Sequence, residues 1–454
     1  MIQAFGNIFK VPELRRKVLF TLFIVIIYRI GAHVPTPGID GIALAKFFES
    51  ISRSAGGQLF GIMGLFSGGA LQKATIFALG IMPYVSASII LQLLTVVIPG
   101  LEKMAKEGGE EGRKKIIQYT RYGTVILSMI QTFFIALWLE NPYAFQGTVI
   151  VPNPGWGFRL MTMLTLTTGT AFIMWLGEQI DQYGIGNGMS VIITAGIVDS
   201  IPTAIWQTWL LLSPLDPARQ QLAWWKFALM IALFAGTVVG VILIIQGQRK
   251  IPVQYAKQIR GNRMYGGQST FLPLKVNQAG VIPIIFAQSV ILFPATIGGF
   301  IPHAQGFTSW VANNLSHGKI LYSVLYAFLI LFFTFFYTAI TFNPIEVANN
   351  LQKYGGFIPG IRPGKNTAEH LDYMMTRIAF TGAIFLGILA VFPSIVSSPK
   401  VLHIPFLIAS FFGGTGLLII VGVILDTMKQ IESQLLMRHY DGFVSKGRLR
   451  SRSR

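Results

Sequence analysis

The 454-residue chain has no cysteine, which removes disulfides and thiolate metal sites from consideration. Charge is also scarce. Asp, Glu, Lys and Arg make up 12% of the residues, where soluble domains carry roughly a quarter. The acidic residues are the scarcer kind, 18 against 36 Lys and Arg, for a net charge of +18. The six histidines are scattered, so neither a metal site nor a cofactor is expected. No GxxxxGK followed by Ser or Thr, no HExxH and no GxSxG is present. These absences remove the usual phosphate loop, zinc-peptidase pair and serine elbow. No catalytic residue is expected, and any energised process would need a separate motor. What is abundant is apolar surface, 52% of the residues, and that composition belongs to a polytopic membrane protein.

Ten apolar runs are long enough to cross a bilayer, at about 18–34, 74–98, 122–139, 160–176, 189–209, 224–245, 279–300, 320–342, 378–396 and 404–425. The first is followed by further spans, so it reads as a permanent span and not as a cleaved signal. Before it, Phe5, Ile8, Phe9 and Leu14 alternate with Lys10, Arg15, Arg16 and Lys17, a pattern that predicts a short helix lying in the interface. Arg29 sits at the outer end of span one, where its stem can snorkel. An even number of spans puts both termini on one side. That side carries four Lys and Arg before span one, six after span two, six after span six, four after span eight and seven after span ten, 27 of the 36. The positive-inside rule makes it the cytoplasmic side.

Spans 1–5 and 6–10 are equal in number and opposite in orientation, the topology of an inverted repeat. The expected division is an N-terminal half at 1–212, a C-terminal half at 213–430 and a basic tail at 431–454 that ends RLRSRSR and is expected to be disordered. The fold class is an all-α integral membrane protein with two five-helix halves.

Residues 56–100 organise the chain. The stretch 58–66 is apolar and bracketed by Gly56, Gly57, Gly68 and Gly69. As a helix it covers about 14 Å, short of the about 30 Å of a bilayer core. Irregular backbone at membrane depth is tolerated only where it is buried in protein or lines a watery cavity. The stretch therefore predicts a pore with a small movable element at 56–70; a re-entrant packing element without gating is the alternative.

The span centres hold no Asp, Glu, Lys, Arg or His; charges sit at span ends, at Arg29, Lys73, Asp199, Lys226 and Asp426. Ion-coupled carriers place such groups inside their spans, so a multispan secondary transporter survives only as a carrier of an apolar solute. Ile81 and Val85 share a helix face at i,i+4 spacing, as do Met189 and Ile193. By spacing alone such pairs are core packing.

Five stretches carry a resemblance: SGGALQKATIFALGIMPYVSASIILQLL, MWLGEQIDQYGIGNGMSVII, GQRKIPVQYAKQ, STFLPLKVNQAGVIP and FIPGIRPGKNTAEHL. Together and in this order they resemble the SecY family, the channel-forming subunits of the protein translocase. The resemblance implies ten helices around a central pore and a passive channel that passes unfolded polypeptides and releases apolar segments sideways. It implies an aliphatic pore ring at Ile81, Val85, Met189, Ile193, Ile285 and Ile419. Val85 and Met189 stand where relatives often carry isoleucine, and the pliable Met loosens the seal. The implied plug is Gln58, Leu59, Phe60, Gly61, Ile62, Met63, Gly64, Leu65, Phe66, Ser67, Gly68 and Gly69. A lateral gate between spans two–three and seven–eight would use Ser86, Ser88, Gln92, Gln131, Asn277 and Gln288. Phe293 is expected opposite Ser86 across it.

Docking falls to the loops at 246–278, with Arg249, Lys250, Lys257, Arg260 and Arg263, and 343–372, with Arg362 and Lys365. GIRPG presents Arg362 in a tight turn. Many relatives carry two arginines where this chain has Asn262–Arg263, which weakens the expected RNA contact. The implied partners are SecE-like and SecG-like small membrane subunits, a SecA motor ATPase, the ribosome, signal sequences and nascent membrane proteins, and anionic lipids. The implied location is the bacterial plasma membrane.

Overall fold

The computed structural model describes residues 11–51, 67–106, 108–145, 147–212, 223–255, 258–260, 263–265, 269–300, 310, 314, 319–396 and 414–446. In chain order the elements are α1 (Pro12–Gly31), α2 (Gly41–Ile51), α3 (Met82–Val97), α4 (Pro99–Lys106), α5 (Gly109–Glu140), a 3-10 turn (Pro142–Phe145), α6 (Trp156–Tyr183), α7 (Gly188–Leu212) and α8 (Trp224–Gln246). Strands β1 (Gln248–Tyr255), β2 (Gln258–Arg260), β3 (Arg263–Tyr265) and β4 (Ser269–Lys275) follow. The chain continues with α9 (Ile282–Phe300), α10 (Ile320–Thr341), α11 (Pro344–Lys353), β5 (Gly356–Phe357), α12 (Lys365–Val396) and α13 (Thr415–Lys446). Helices α5, α6, α7, α8, α10 and α12 are each long and apolar enough to cross a bilayer. The other four expected spans fall on α1, α3, α9 and α13, so ten spans are consistent with this fold.

Several boundaries differ from those expected. Residues 12–17 do not form a separate interfacial helix. They are the first turns of α1, which starts with Pro12 at a position that needs no N–H partner. The charged stretch 102–121 is largely helical, because α5 begins at Gly109 with Glu110 and Glu111 in its first turn, where the helix dipole favours acids. Span two is a helix only from Met82; residues 68–81 run through turns, with left-handed backbone at Gly68, Gly69, Ala74 and Gly80. At its other end Pro99 forces Ile98 into extended backbone (φ −97°, ψ 113°), and α4 leaves at 105°. Helix α13 continues to Lys446, so much of the tail is helical. The RLRSRSR end lies outside the described residues.

The chain divides into two compact units. The first comprises Met1–Trp206, Leu292–Asn313 and Val423–Arg454. In it, α5 buries Thr120, Thr124, Ser128 and Thr132, one side chain per turn. Helix α6 buries Thr162, Thr167 and Thr170. Small side chains let two backbones approach without lipid between them. The α5 hydroxyls bond back along their own helix, as Thr124 Oγ1 does to Thr120 O at 2.7 Å, whereas Thr162 Oγ1 is buried without a partner. Thr132 and Thr167 meet across the interface at 3.2 Å. At the end of α5, Glu140 accepts from Arg159 at 2.7 Å, and Arg159 lies 5.3 Å above the Trp156 ring. This gives α6 the aromatic and cationic anchor typical of a membrane–water boundary.

The second unit comprises Gln207–Ile291 and Asn314–Gly422. Its soluble part is not a loop. Strands β1 and β4 pair antiparallel from Gln248–Lys275 to Gln254–Ser269, and β5 adds to β1 through Gln254–Phe357 and Tyr255–Gly356. Ile251 and Val253 of β1 alternate with exposed neighbours and bury against Leu274, Ile358, Leu371 and Met375. A period of two with one face covered is what makes a strand here. The two loops expected to be separate thus share one small core.

Candidate functional site

All six residues expected to line the pore are buried. In the first unit, Ile81 precedes α3 and its carbonyl accepts from Val85 N at 3.1 Å, so the two side chains stack one turn apart. Pro83 occupies the first turn, where its missing N–H costs nothing. The segment ahead of them is wedged between α1 and α6. Phe77 stacks on Tyr28 with ring centroids 5.9 Å apart, in space that a side chain at Gly31 would fill, since a Cβ there would fall 2.1 Å from the Phe77 ring. Pro35 and Thr75 form an isolated bridge. Thr36 N donates to Ala74 O at 2.9 Å and Ile76 N to Val34 O at 3.0 Å.

Met189 and Ile193 open α7. Their placement rests on a backbone contact: a Cβ on Gly188 would fall 1.9 Å from Gly177 O, and one on Gly177 would fall 2.6 Å from Met189 Sδ. Only glycine at both positions lets α6 and α7 approach this closely. In the second unit, Ile285 N donates to Val281 O at 3.3 Å. Helix α13 meets Val281 at Gly422, where a Cβ would fall 2.1 Å from Val281 Cγ1. Ile285 and Ile419 therefore lie one turn from a shared contact.

Of the plug stretch, residues 58–66 lie outside the described residues. Ser67, Gly68 and Gly69 are described, and both glycines are left-handed (φ 61° and 74°). Gly68 is pressed against α7 and α1: a Cβ on it would fall 3.0 Å from Arg29 Nη1 and 3.2 Å from the Gly196 Cα. Arg29 does not snorkel to water as expected. It pairs with Asp199 of α7, and its Nη1 is buried without a hydrogen-bond partner. The sequence carried a signal for this pair, two opposite charges within apolar spans; Asp199 lies midway along α7 and not at a span end as expected.

Among the expected gate residues, Gln92 Nε2 donates to Ser88 Oγ at 3.1 Å along α3, and Asn277 Nδ2 donates to Gly280 O at 2.8 Å. The amide oxygens of Gln92, Asn277 and Gln288 are buried without a partner. Ser86 and Gln131 are half-buried. The side chain of Phe293 lies outside the described residues, although α9 passes through it.

The docking residues separate in the same way. Arg249 and Lys250 are exposed on β1. Arg260 and Arg263 belong to the β2–β3 pair, with their side chains undescribed, and Lys257 lies outside the described residues. Arg362 is exposed in a turn between Gly360 and Gly364, both left-handed, and its carbonyl accepts from Thr367 Oγ1 at 2.9 Å. Lys365 starts α12, fully in the open beside Glu369 at 3.8 Å. Sequence reasoning missed that β5 joins Arg362's loop to the strand bearing Arg249 and Lys250. The alternation in RKIPVQY was its signal.

The family model described as SecY matches residues 75–428. The chain belongs to the SecY family. It is 48% identical over 449 residues to the protein translocase subunit SecY of Streptomyces scabiei, covering 98% of this chain and 100% of that one. Its fold is similar to a solved structure of a protein-conducting channel, with a TM-score of 0.61 at 17% identity and 92% of each chain covered. It is also similar to Sec61 in a canine ribosome–channel complex from the endoplasmic reticulum, with a TM-score of 0.57 at 16% identity and 92% of each chain covered. The long apolar helices and these relatives make the chain a multi-pass membrane protein.

Proposed function

We propose that this chain is the channel-forming subunit of a bacterial-type protein translocase, set in the plasma membrane with both termini in the cytoplasm. It passes unfolded polypeptides across the membrane and releases apolar segments sideways into lipid. The observation that carries the reading is the family match across residues 75–428, which contains every proposed ring, gate and docking residue. The scarcity of charge inside the expected spans favours it over an ion-coupled carrier, Asp199 being paired with Arg29.

In this reading Ile81, Val85, Met189, Ile193, Ile285 and Ile419 form an apolar ring. A narrow apolar constriction dewets and stops ions, while aliphatic side chains close around any polypeptide. A polar ring would bind particular solutes and leak ions. Residues 58–69 act as the plug beyond the ring. The gate lies between spans two–three and seven–eight. The partnerless amide oxygens of Gln92, Asn277 and Gln288 support it, because helices that share few hydrogen bonds part at low cost.

Arg249, Lys250, Lys257, Arg260, Arg263, Arg362 and Lys365 dock the SecA motor ATPase or the ribosome. The three-stranded sheet that joins the strand bearing Arg249 and Lys250 to the loop bearing Arg362 supports a shared docking surface. SecE-like and SecG-like subunits complete the channel, anionic lipids meet its cytoplasmic charge, and the chain itself supplies no energy.

The test is reconstitution of the complex with its small subunits, motor and ATP in vesicles, followed by protease protection of a client precursor. Protection is expected, and Arg362→Glu should abolish it while the folded protein remains in the membrane. No protection by the wild type overturns the channel reading. Flux of a small solute without any client would favour the carrier.

A further inference from the structure

The turn between α6 and α7 is held by three helices. Gly184 N donates to Ile180 O at 2.8 Å. Ile185 N donates to Thr21 Oγ1 of α1 at 3.0 Å. Gly186 N donates to Gln430 Oε1 of α13 at 2.9 Å. Gly188 N donates to Asp181 Oδ1 of α6 at 2.8 Å. Asn187 then caps α7, its Oδ1 accepting from Ser190 N at 3.0 Å. The side chain of Ile185 is buried with Leu14 of α1 and with Met428 and Ile431 of α13.

A four-residue connection normally leaves such donors to water. Here side chains take three of them, two from residues distant in sequence, and the residue that follows immediately is Met189. A helix transmits a displacement of its first turn directly to the side chains on that turn, so whatever fixes Gly188 also fixes Met189 and, one turn on, Ile193.

We propose that Thr21, Asp181 and Gln430 are positioning residues for the apolar face of Met189 and Ile193, holding the start of α7 so that this face keeps its seal. The inference rests on the channel reading and adds to it a polar bearing outside the apolar ring. The carboxylate is the most direct of the three, because its partner is the amide next to Met189. Asparagine at position 181 retains an oxygen that accepts from Gly188 N; alanine does not.

The experiment compares Asp181→Ala and Asp181→Asn in the full reconstituted complex. It measures ion conductance in planar bilayers, hydrogen exchange of residues 186–190, and elution as one folded species. Removing the acceptor leaves a buried N–H unpaired and is expected to speed local exchange about tenfold. Leak conductance should rise several-fold in complex that still elutes as one species, and the asparagine variant should match the wild type in both.

Wild-type conductance in the alanine variant overturns the proposal, as does equal leak from both variants. Faster exchange at residues 186–190 in folded complex that does not leak would mean a purely structural role and overturns it too. Should alanine prevent assembly, Thr21→Val decides: it keeps the shape, removes the acceptor for Ile185 N, and should leak. A wild-type complex that conducts no client would instead defeat the channel reading, a distinct result.

Discussion

Two supports in the first unit carry the apolar pairs Ile81–Val85 and Met189–Ile193, and they are built on different physics. The turn at 184–188 is set by directed hydrogen bonds from α1, α6 and α13. The segment 67–81 combines backbone pairing with close packing: Thr36 N on Ala74 O and Ile76 N on Val34 O, Phe77 under Tyr28, Leu71 and Leu79 in the core, and left-handed backbone at four positions. Hydrogen bonds fix direction and are costly to leave unmade. Apolar contacts are non-directional and tolerate sliding. One support therefore leans on side-chain acceptors from other helices, and the other on backbone pairing and close packing.

Four tests probe that contrast, in order of falling effect. Gly188→Ala should be the most damaging, at least about 3 kcal/mol, because its Cβ meets backbone that cannot rotate away. Thermal unfolding in detergent measures it, and a stable alanine variant would break the account of how α6 and α7 approach. Arg29→Leu comes next. Its pair with Asp199 is only partly sheltered, with the side chains 23% and 35% exposed. The expected cost lies between about 1 kcal/mol for a surface pair and about 3 kcal/mol for a buried one. Restoring much of it with Arg29→Leu plus Asp199→Leu would identify the lone carboxylate as the cause.

The third test makes one chemical change in both supports. Thr21→Val strips Ile185 N of its acceptor and should cost about 1–2 kcal/mol. Thr75→Val removes only a long hydroxyl contact to Ala70 O, 3.4 Å away, which Thr75 N still serves at 3.0 Å. It should change stability by less than about 0.5 kcal/mol. Equal effects in a paired unfolding assay would erase the distinction. The smallest effect has the opposite sign. Ala74 holds φ of +46°, which costs a residue with a Cβ about 1 kcal/mol or more. Ala74→Gly should therefore raise stability by about 0.5–1 kcal/mol after the greater chain entropy of glycine is subtracted.

Reading the sequence went furthest where one energy term dominates. Helix α8 was expected at 224–245 and runs Trp224–Gln246, and α10 was expected at 320–342 and runs Ile320–Thr341. In both, continuous apolarity allows no other outcome in lipid. The reading fell short where two terms compete. Residues 74–81 are as apolar as the helix after them, yet packing against α1 and α6 holds them in turns. The basic loop at 246–278 hid a strand pair because its charges masked the alternation of Ile251 and Val253. Of the candidate site, the identities of the apolar residues were legible from spacing and resemblance. The bearing of Thr21, Asp181 and Gln430 was not, since Thr21 and Gln430 lie far in sequence from the turn they hold.

Composition and hydropathy alone determined that this chain crosses a membrane repeatedly, with a span count consistent with the fold. Those outcomes follow from the cost of exposing backbone and charge to hydrocarbon, which each segment meets by itself. Only the tertiary structure decided that Arg29 pairs with Asp199, that β5 joins two distant loops into one surface, and that three helices hold the turn ahead of Met189. Each depends on which segments become neighbours. That choice is made by contacts a few ångströms long, such as Gly188 on Gly177, and these have no local signature in the order of residues.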